Sequence, residues 1–135
     1  MPSRQFRMIL PKYDNSMRRI GTDTLRDASK EVAREFGGVT VVPSVLGCFV
    51  ADDGELECEE NMVIEVTLVE VSTERINEAR QFMHDLAKRS GVTLGQESIM
   101  LQEETDTVTS FVMGRRKAAV SSNIIEADFF KRLMD

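Results

Sequence analysis

The chain alternates between two hydrophobic rhythms. In residues 4–10, RQFRMIL, Phe6, Met8 and Leu10 fall on one face and Gln5 and Arg7 on the other. That period of two marks a half-buried strand, and Pro11 ends it. After a polar connection over 12–21, Leu25, Ala28, Val32 and Phe36 recur at spacings of three and four, the apolar stripe of an amphipathic helix. Thr22 or Thr24 is expected to cap that helix, its hydroxyl accepting an orphan backbone N–H. Residues 39–42 and 45–51 are rich in β-formers but interrupted by Pro43-Ser44. A proline cannot donate to a ladder, so this strand is expected at an edge or with a bulge. Asp52-Asp53-Gly54 is a hairpin signal. On the returning strand Leu56, Cys58, Met62, Ile64, Val66 and Leu68 share one parity, and Glu55, Glu57, Glu59, Asn61, Glu65 and Thr67 the other. Glu60 and Val63 break the rule, which points to a local bulge or an exposed strand end.

Ser72 is placed to cap a second helix with Ile76, Ala79, Met83, Leu86 and Ser90 inward and Gly91 as its stop. Residues 97–103 alternate again, with Ile99 and Leu101 opposite Ser98 and Met100. A further strand is expected over 107–113, and the tail SSNIIEADFFKRLMD predicts a short capped helix carrying Ile125, Phe129 and Leu133 on one face. The order β-α-β-β-α-β predicts an α+β, ferredoxin-like fold. Right-handed crossovers put both helices on one face of an antiparallel sheet. The expected division is a domain over 1–113, then a linker and C-terminal amphipathic helix over 114–135 that packs on the domain or on a partner subunit.

Gly37-Gly38 follows a helix and precedes a strand. A phosphate-cradling glycine loop needs the reverse order, so that a helix N-terminus faces the anion. Gly37 is therefore expected to stop the helix in a left-handed conformation, with Gly38 and Gly54 serving turns.

At 135 residues, 41% hydrophobic and 30% charged, the chain is expected to form one soluble domain. The net charge of −6 argues against nucleic-acid and anionic-membrane partners, both of which need a positive field. The run Arg115-Arg116-Lys117 is too short to reverse this and reads as a solvated loop. No apolar run reaches the length of a membrane span, and the N-terminus lacks the apolar stretch of a signal peptide. The expected location is the cytoplasm.

Specific chemistry is sparse. Gly-x-Ser-x-Gly, Walker and Cys-x-x-Cys patterns are absent, and no cofactor is implied. His84, the single histidine, lies off the apolar stripe of its helix and reads as part of a solvated face. Glu55, Glu57 and Glu59 alternate on one strand, which cannot wrap a metal by itself; they read as edge charges that discourage strand addition, and no metal site is expected. Tyr13, Asp14 and Asn15 follow the first strand, where grouped polar side chains can bind a small ligand, although Asp14 and Asn15 equally suit an Asx-turn. A three-residue loop at 52–54 sets Cys48 opposite Cys58 in a non-hydrogen-bonded pair. Their parity places both under the helices, so reduced, buried, structural thiols are expected.

The segment FGGVTVVPSVLGCF…DDGELECEENMVIEV resembles a pattern in small uncharacterised microbial proteins, and it is similar to the family of unknown function numbered 3574. Phe36-Gly37-Gly38, Thr40, Gly47 and Phe49 carry the resemblance, with Cys48 between the last two. It implies the fold and no catalytic residue. The function expected is a non-enzymatic small-ligand-binding or homo-oligomeric assembly module. Val41, Phe49 and Val63 would then supply apolar patches on the open sheet face. The alternative is a small enzyme of the dimeric ferredoxin-like type that uses polar residues of the 12–21 loop.

Overall fold

The computed structural model describes residues 3–14, 16–105 and 108–114. In chain order they form β1 (Arg4–Pro11), α1 (Thr22–Phe36), β2 (Thr40–Val50), β3 (Leu56–Leu68), α2 (Thr73–Leu94) and β4 (Met100–Thr105). The four strands make one sheet in the order β2-β3-β1-β4, antiparallel throughout. Each helix connects two strands that have a third between them, the split βαβ arrangement of a ferredoxin-like α+β fold.

The core lies between one sheet face and the two helices. Phe6, Met8 and Leu10 oppose Val66, Ile64 and Met62 across the central strands. Leu25, Ala28 and Val32 of α1 and Ala79, Met83 and Leu86 of α2 close over them. Phe36 meets Phe82 edge-on at 5.3 Å between centroids, and Arg75 stacks 5.1 Å from the Phe36 ring. Arg80 grips Glu103 with bonds of 2.7 and 2.9 Å, tying α2 to β4. Those hydrogen bonds hold the Glu103 carboxyl below its ordinary value, helped by the charges of Arg80, Arg4 and His84, and raise Arg80 in turn.

The bulge in β2 corrects one expectation. The register shifts between Val42 and Val45, so Pro43 and Ser44 together stand opposite a single residue of β3. Side-chain parity therefore reverses across Pro43-Ser44. Val41 opposes Ile64 and faces the helices, and Val42, opposite Val63, takes its place on the open face. Val42, Val63, Ile9 and Met100 form an apolar row across all four strands there.

Helix ends differ from expectation in two places. α1 is capped by neither Thr22 nor Thr24. Its N-cap is Gly21, left-handed at φ 85°, with no side-chain cap. The chain turns there because a Cβ on Gly21 would lie 2.8 Å from Met62 Cε and 3.2 Å from the Pro11 carbonyl oxygen. α2 runs through Gly91, which is buried, and stops at Gly95 with φ 66°. A side chain at 91 would crowd Ile99, so that glycine serves helix–strand packing instead of termination. Ser72 caps α2 by accepting the Arg75 N–H, and Gly37 stops α1 at φ 84°.

Residues 108–114 carry no strand, contrary to the expectation for 107–113; Val108, Phe111, Val112 and Met113 stand 83–95% exposed. Their β-rich composition supplies propensity, but among the described residues they have no ladder partner, and a lone strand is not stable in water. The predicted C-terminal helix lies outside the described residues. Among the described residues no helix is long and apolar enough to cross a membrane.

Candidate functional site

β1 pairs with β3 only as far as Pro11 and Asn61, and the Lys12 N–H to the Glu60 carbonyl is the last link. Beyond it, residues 47–50 and 56–59 pair only with each other. The hairpin thus projects from the body as a two-stranded arm. Its tip is the loop 52–54: Gly54 takes φ 84°, the Ala51 N–H donates to the Glu55 carbonyl, and the Gly54 N–H donates to the Ala51 carbonyl.

The arm carries a second correction. Cys48 and Cys58 are opposite one another, as the loop length predicts, but they are joined in a disulfide with Cα atoms 4.0 Å apart. Both are exposed, not buried. Their parity is that of the core residues, yet the helices end before the arm begins, so that face is open to water. Proximity in a non-hydrogen-bonded pair then allows the bond. The parity break at Glu60 marks the same boundary. β3 itself is unbulged; Glu60 stands at the edge of the core, 3.3 Å from Lys12 Nζ.

The loop after β1 folds back on itself beside the arm. Asp14 Oδ1 accepts the N–H groups of Ser16 and Arg18, both at 2.9 Å, and Oδ2 accepts Arg18 Nε at 3.1 Å. These bonds, the Arg18 backbone N–H foremost, hold the Asp14 carboxyl below its usual value against an opposing desolvation. Tyr13 bridges to Arg19, and the Ile20 N–H closes the loop on the Lys12 carbonyl. Asp14 therefore builds the Asx-turn its residue type suggests. The turn is also what fixes Tyr13 in place.

Between this loop and the arm lies a cleft of about 520 Å³. Tyr13, Asp14 and Met17 line one side, Glu57 to Asn61 and Leu46 the other, and Gln96 a third. Of the three loop residues singled out from sequence, Tyr13 and Asp14 border the cleft; Asn15 lies outside the described residues. Cys58 is in its wall, whereas Gly37, Gly38 and Gly54 are not. The carboxylates of Asp14 and Glu60 are already paired with Arg18 and Lys12. Among the described residues Glu57 and Glu59, which border the cleft from the face of β3 opposite to that of Cys58 and Glu60, have no ion pair, so the border of the cleft is acidic. Its volume suits a small molecule. Sequence reasoning did not join Glu57, Glu59, Asn61 and Gln96 to Tyr13, since the register of β1 on β3 places the first three and the turn after α2 places Gln96.

Other features do not build a site. Among the described residues no three His, Cys, Asp or Glu side chains cluster as metal ligands. His84 is exposed and borders a separate groove of about 500 Å³ with Lys88, Ser98 and Leu101.

No family model and no curated relative matches the chain. In fold it is similar to a phage SAM lyase. With S-methyl-5'-thioadenosine bound, that structure has a TM-score of 0.54 and 15% identity, covering 85% of this chain and 93% of the other. The apo state gives 0.56 and 15%, covering 87% and 94%. The GlnK–ATP complex of B. subtilis scores 0.49 at 14% identity, over 77% of this chain and 81% of that one.

Proposed function

We propose that the chain is a homo-oligomeric module that binds a small organic cation in the cleft under the arm. The observation that carries this is that Tyr13, Glu57 and Glu59, the last two without an ion pair among the described residues, border the same space of about 520 Å³. Met17 and Leu46 supply apolar wall beside them. A ligand with a flat or aliphatic body and one positive charge fits that lining. The assembly half rests on the apolar row Val42, Val63, Ile9 and Met100 on the sheet face opposite the helices, where Met100 is exposed, Val42 and Ile9 are half-buried and Val63 is buried. The residues beyond 113 are assigned to a linker and packing helix, and the similarity to the family numbered 3574 is kept as a reading of ancestry that implies no activity.

A second reading is a small enzyme acting in the same cleft. It is favoured by the fold shared with a phage SAM lyase, which was found in complex with S-methyl-5'-thioadenosine. A phenol facing carboxylates can move protons. Both readings are tested by a thermal-shift panel of organic cations that includes SAM, with S-methyl-5'-thioadenosine added, and by mass spectrometry of each mixture after incubation. A ligand at about 100 times its dissociation constant adds about 2.7 kcal/mol. A shift that is lost in Tyr13→Ala, without change of ligand mass, supports the binding module. Conversion of the ligand supports the enzyme. A flat panel overturns both.

The cytoplasm remains the proposed location, and the disulfide tests it, because reducing compartments open exposed disulfides. Rapid acid quenching and alkylation of cells should trap free thiols at Cys48 and Cys58; a bonded pair places the protein elsewhere.

A further inference from the structure

Cys48 and Cys58 are bonded and exposed, so a thiol in solution can reach the bond. A disulfide opens when a thiolate attacks one of its sulfurs, and access helps to decide which. Here the two sulfurs are not equivalent. Leu46 opposes Glu60 and Cys48 opposes Cys58, so all four share one face of the arm. Leu46, Cys58 and Glu60 border the cleft of about 520 Å³, with Gln96 across from them, whereas Cys48 does not border it. A molecule held in the cleft therefore meets the disulfide on its Cys58 side. Cys48 lies beyond, on the outer strand β2.

Charge selects among thiols. Residues 44–60 carry Asp52, Asp53, Glu55, Glu57, Glu59 and Glu60 and no lysine or arginine. Lys12 offsets Glu60 and Arg18 offsets Asp14, and the other carboxylates give the arm its sign. Such a field repels a thiolate, and repels it more when the thiol bears a second negative group. An aminothiol brings its thiolate already balanced by an ammonium group.

We propose that the cleft admits an aminothiol, which Cys58 captures as a mixed disulfide. The thiolate attacks Cys58 Sγ. A new S–S bond forms as the Cys48–Cys58 bond breaks, the electron pair leaves on Cys48 Sγ, and that thiolate takes a proton from water. A second aminothiol thiolate then attacks the sulfur of the captured one. Cys58 leaves as a thiolate and is protonated, and the aminothiol disulfide departs. Two small thiols are oxidised to one disulfide, and the protein pair is reduced to two thiols. This rests on the small-cation reading of the cleft and adds the ligand's reactive group.

The test follows opening of the disulfide in the full oxidised chain by acid quenching, alkylation and mass spectrometry. Cysteamine, 2-mercaptoethanol and 2-mercaptoethanesulfonate are compared. Each rate is divided by thiolate concentration and by the same thiol's rate against a small neutral disulfide. Cysteamine should be at least about tenfold faster than the sulfonate at low salt, and E57K/E59K should abolish the preference. In samples quenched early, peptide mapping should find cysteamine on Cys58 and the alkyl group on Cys48. Leu46→Trp, which fills the cleft beside Cys58, should slow opening at least about tenfold. Val50→Trp, one pair from the disulfide toward the tip on the same face, should not. Leu46 and Val50 are both exposed, so neither change disturbs the core. Equal rates for the three thiols, cysteamine on Cys48, or equal slowing by the two tryptophans overturns the proposal. So does a chain that forms no disulfide when treated with diamide. Noncovalent binding is read separately, by the thermal-shift panel on C48S/C58S, which cannot exchange. A shift there beside indifferent exchange rates sinks this proposal and spares the small-cation reading. A flat panel counts against that reading, whatever the exchange rates.

Discussion

Gly21 and Gly37 share a backbone conformation, at φ 85° and 84°, but not a neighbourhood. A Cβ at 37 meets nothing within 4 Å, whereas one at 21 strikes Met62 and the Pro11 carbonyl. Gly37→Ala should therefore cost only the left-handed penalty, about 1–2 kcal/mol. Gly21→Ala should cost about 3 kcal/mol, because overpacking adds to that penalty. Urea titration of both variants checks the order, and equal losses would mean that the β1–α1 junction is less tight than it looks. Asp14 makes a residue-scale prediction in pH. Its carboxyl is held low in the folded state, so its contribution is present above the unfolded aspartate value of about 3.9. It is lost as pH falls through the lower folded value. Asp14→Asn should flatten the acid limb of the stability profile below about pH 4 and leave the profile near neutrality with the same slope. An unchanged acid limb contradicts the turn's role.

The helix caps separate what a residue type allows from what an element uses. Ser72 accepts the Arg75 N–H at 3.1 Å, so Ser72→Ala should cost about 1 kcal/mol. Thr22 and Thr24 have the same chemistry, but α1 begins at Gly21, and alanine at either should be nearly neutral. Thermal melts of the three variants decide this. The arm offers a second prediction at this scale. Its disulfide spans 10 residues, and loop-closure entropy for that length is worth roughly 2–3 kcal/mol. Because 56–59 pair with nothing but 47–50, reduction should speed amide exchange within the arm and leave the central residues 62–68 protected. Uniform loss of protection would show that the arm and body unfold together.

For the whole molecule, Leu101 is the last of the described residues in chain order to pack against the core. A tail that packs on a partner subunit, as proposed, lets a chain stopped after residue 114 keep its stability within about 0.5 kcal/mol while losing assembly. Guanidinium melts of the two lengths check the first point and sedimentation the second.

The sequence by itself determined the element order, the two helix faces, the hairpin loop and hence the pairing of Cys48 with Cys58. Each of these is a local period or a short turn, and such signals are written in neighbouring residues. One proline in β2 predicted an edge or a bulge, and the strand has both. What only the tertiary structure decided are the relations between distant segments. The reversal of parity at Pro43-Ser44 moved Val41 to the core side and Val42 to the open side. The ends of the helices decided that the cysteines are exposed, although their parity matched that of buried residues. The register of β1 on β3 brought Tyr13 and Asp14 against Glu57, Glu59 and Glu60, more than forty positions away. Parity tells which way a side chain points; burial and site formation depend on what stands in that direction, and that is set by the packing of the whole chain.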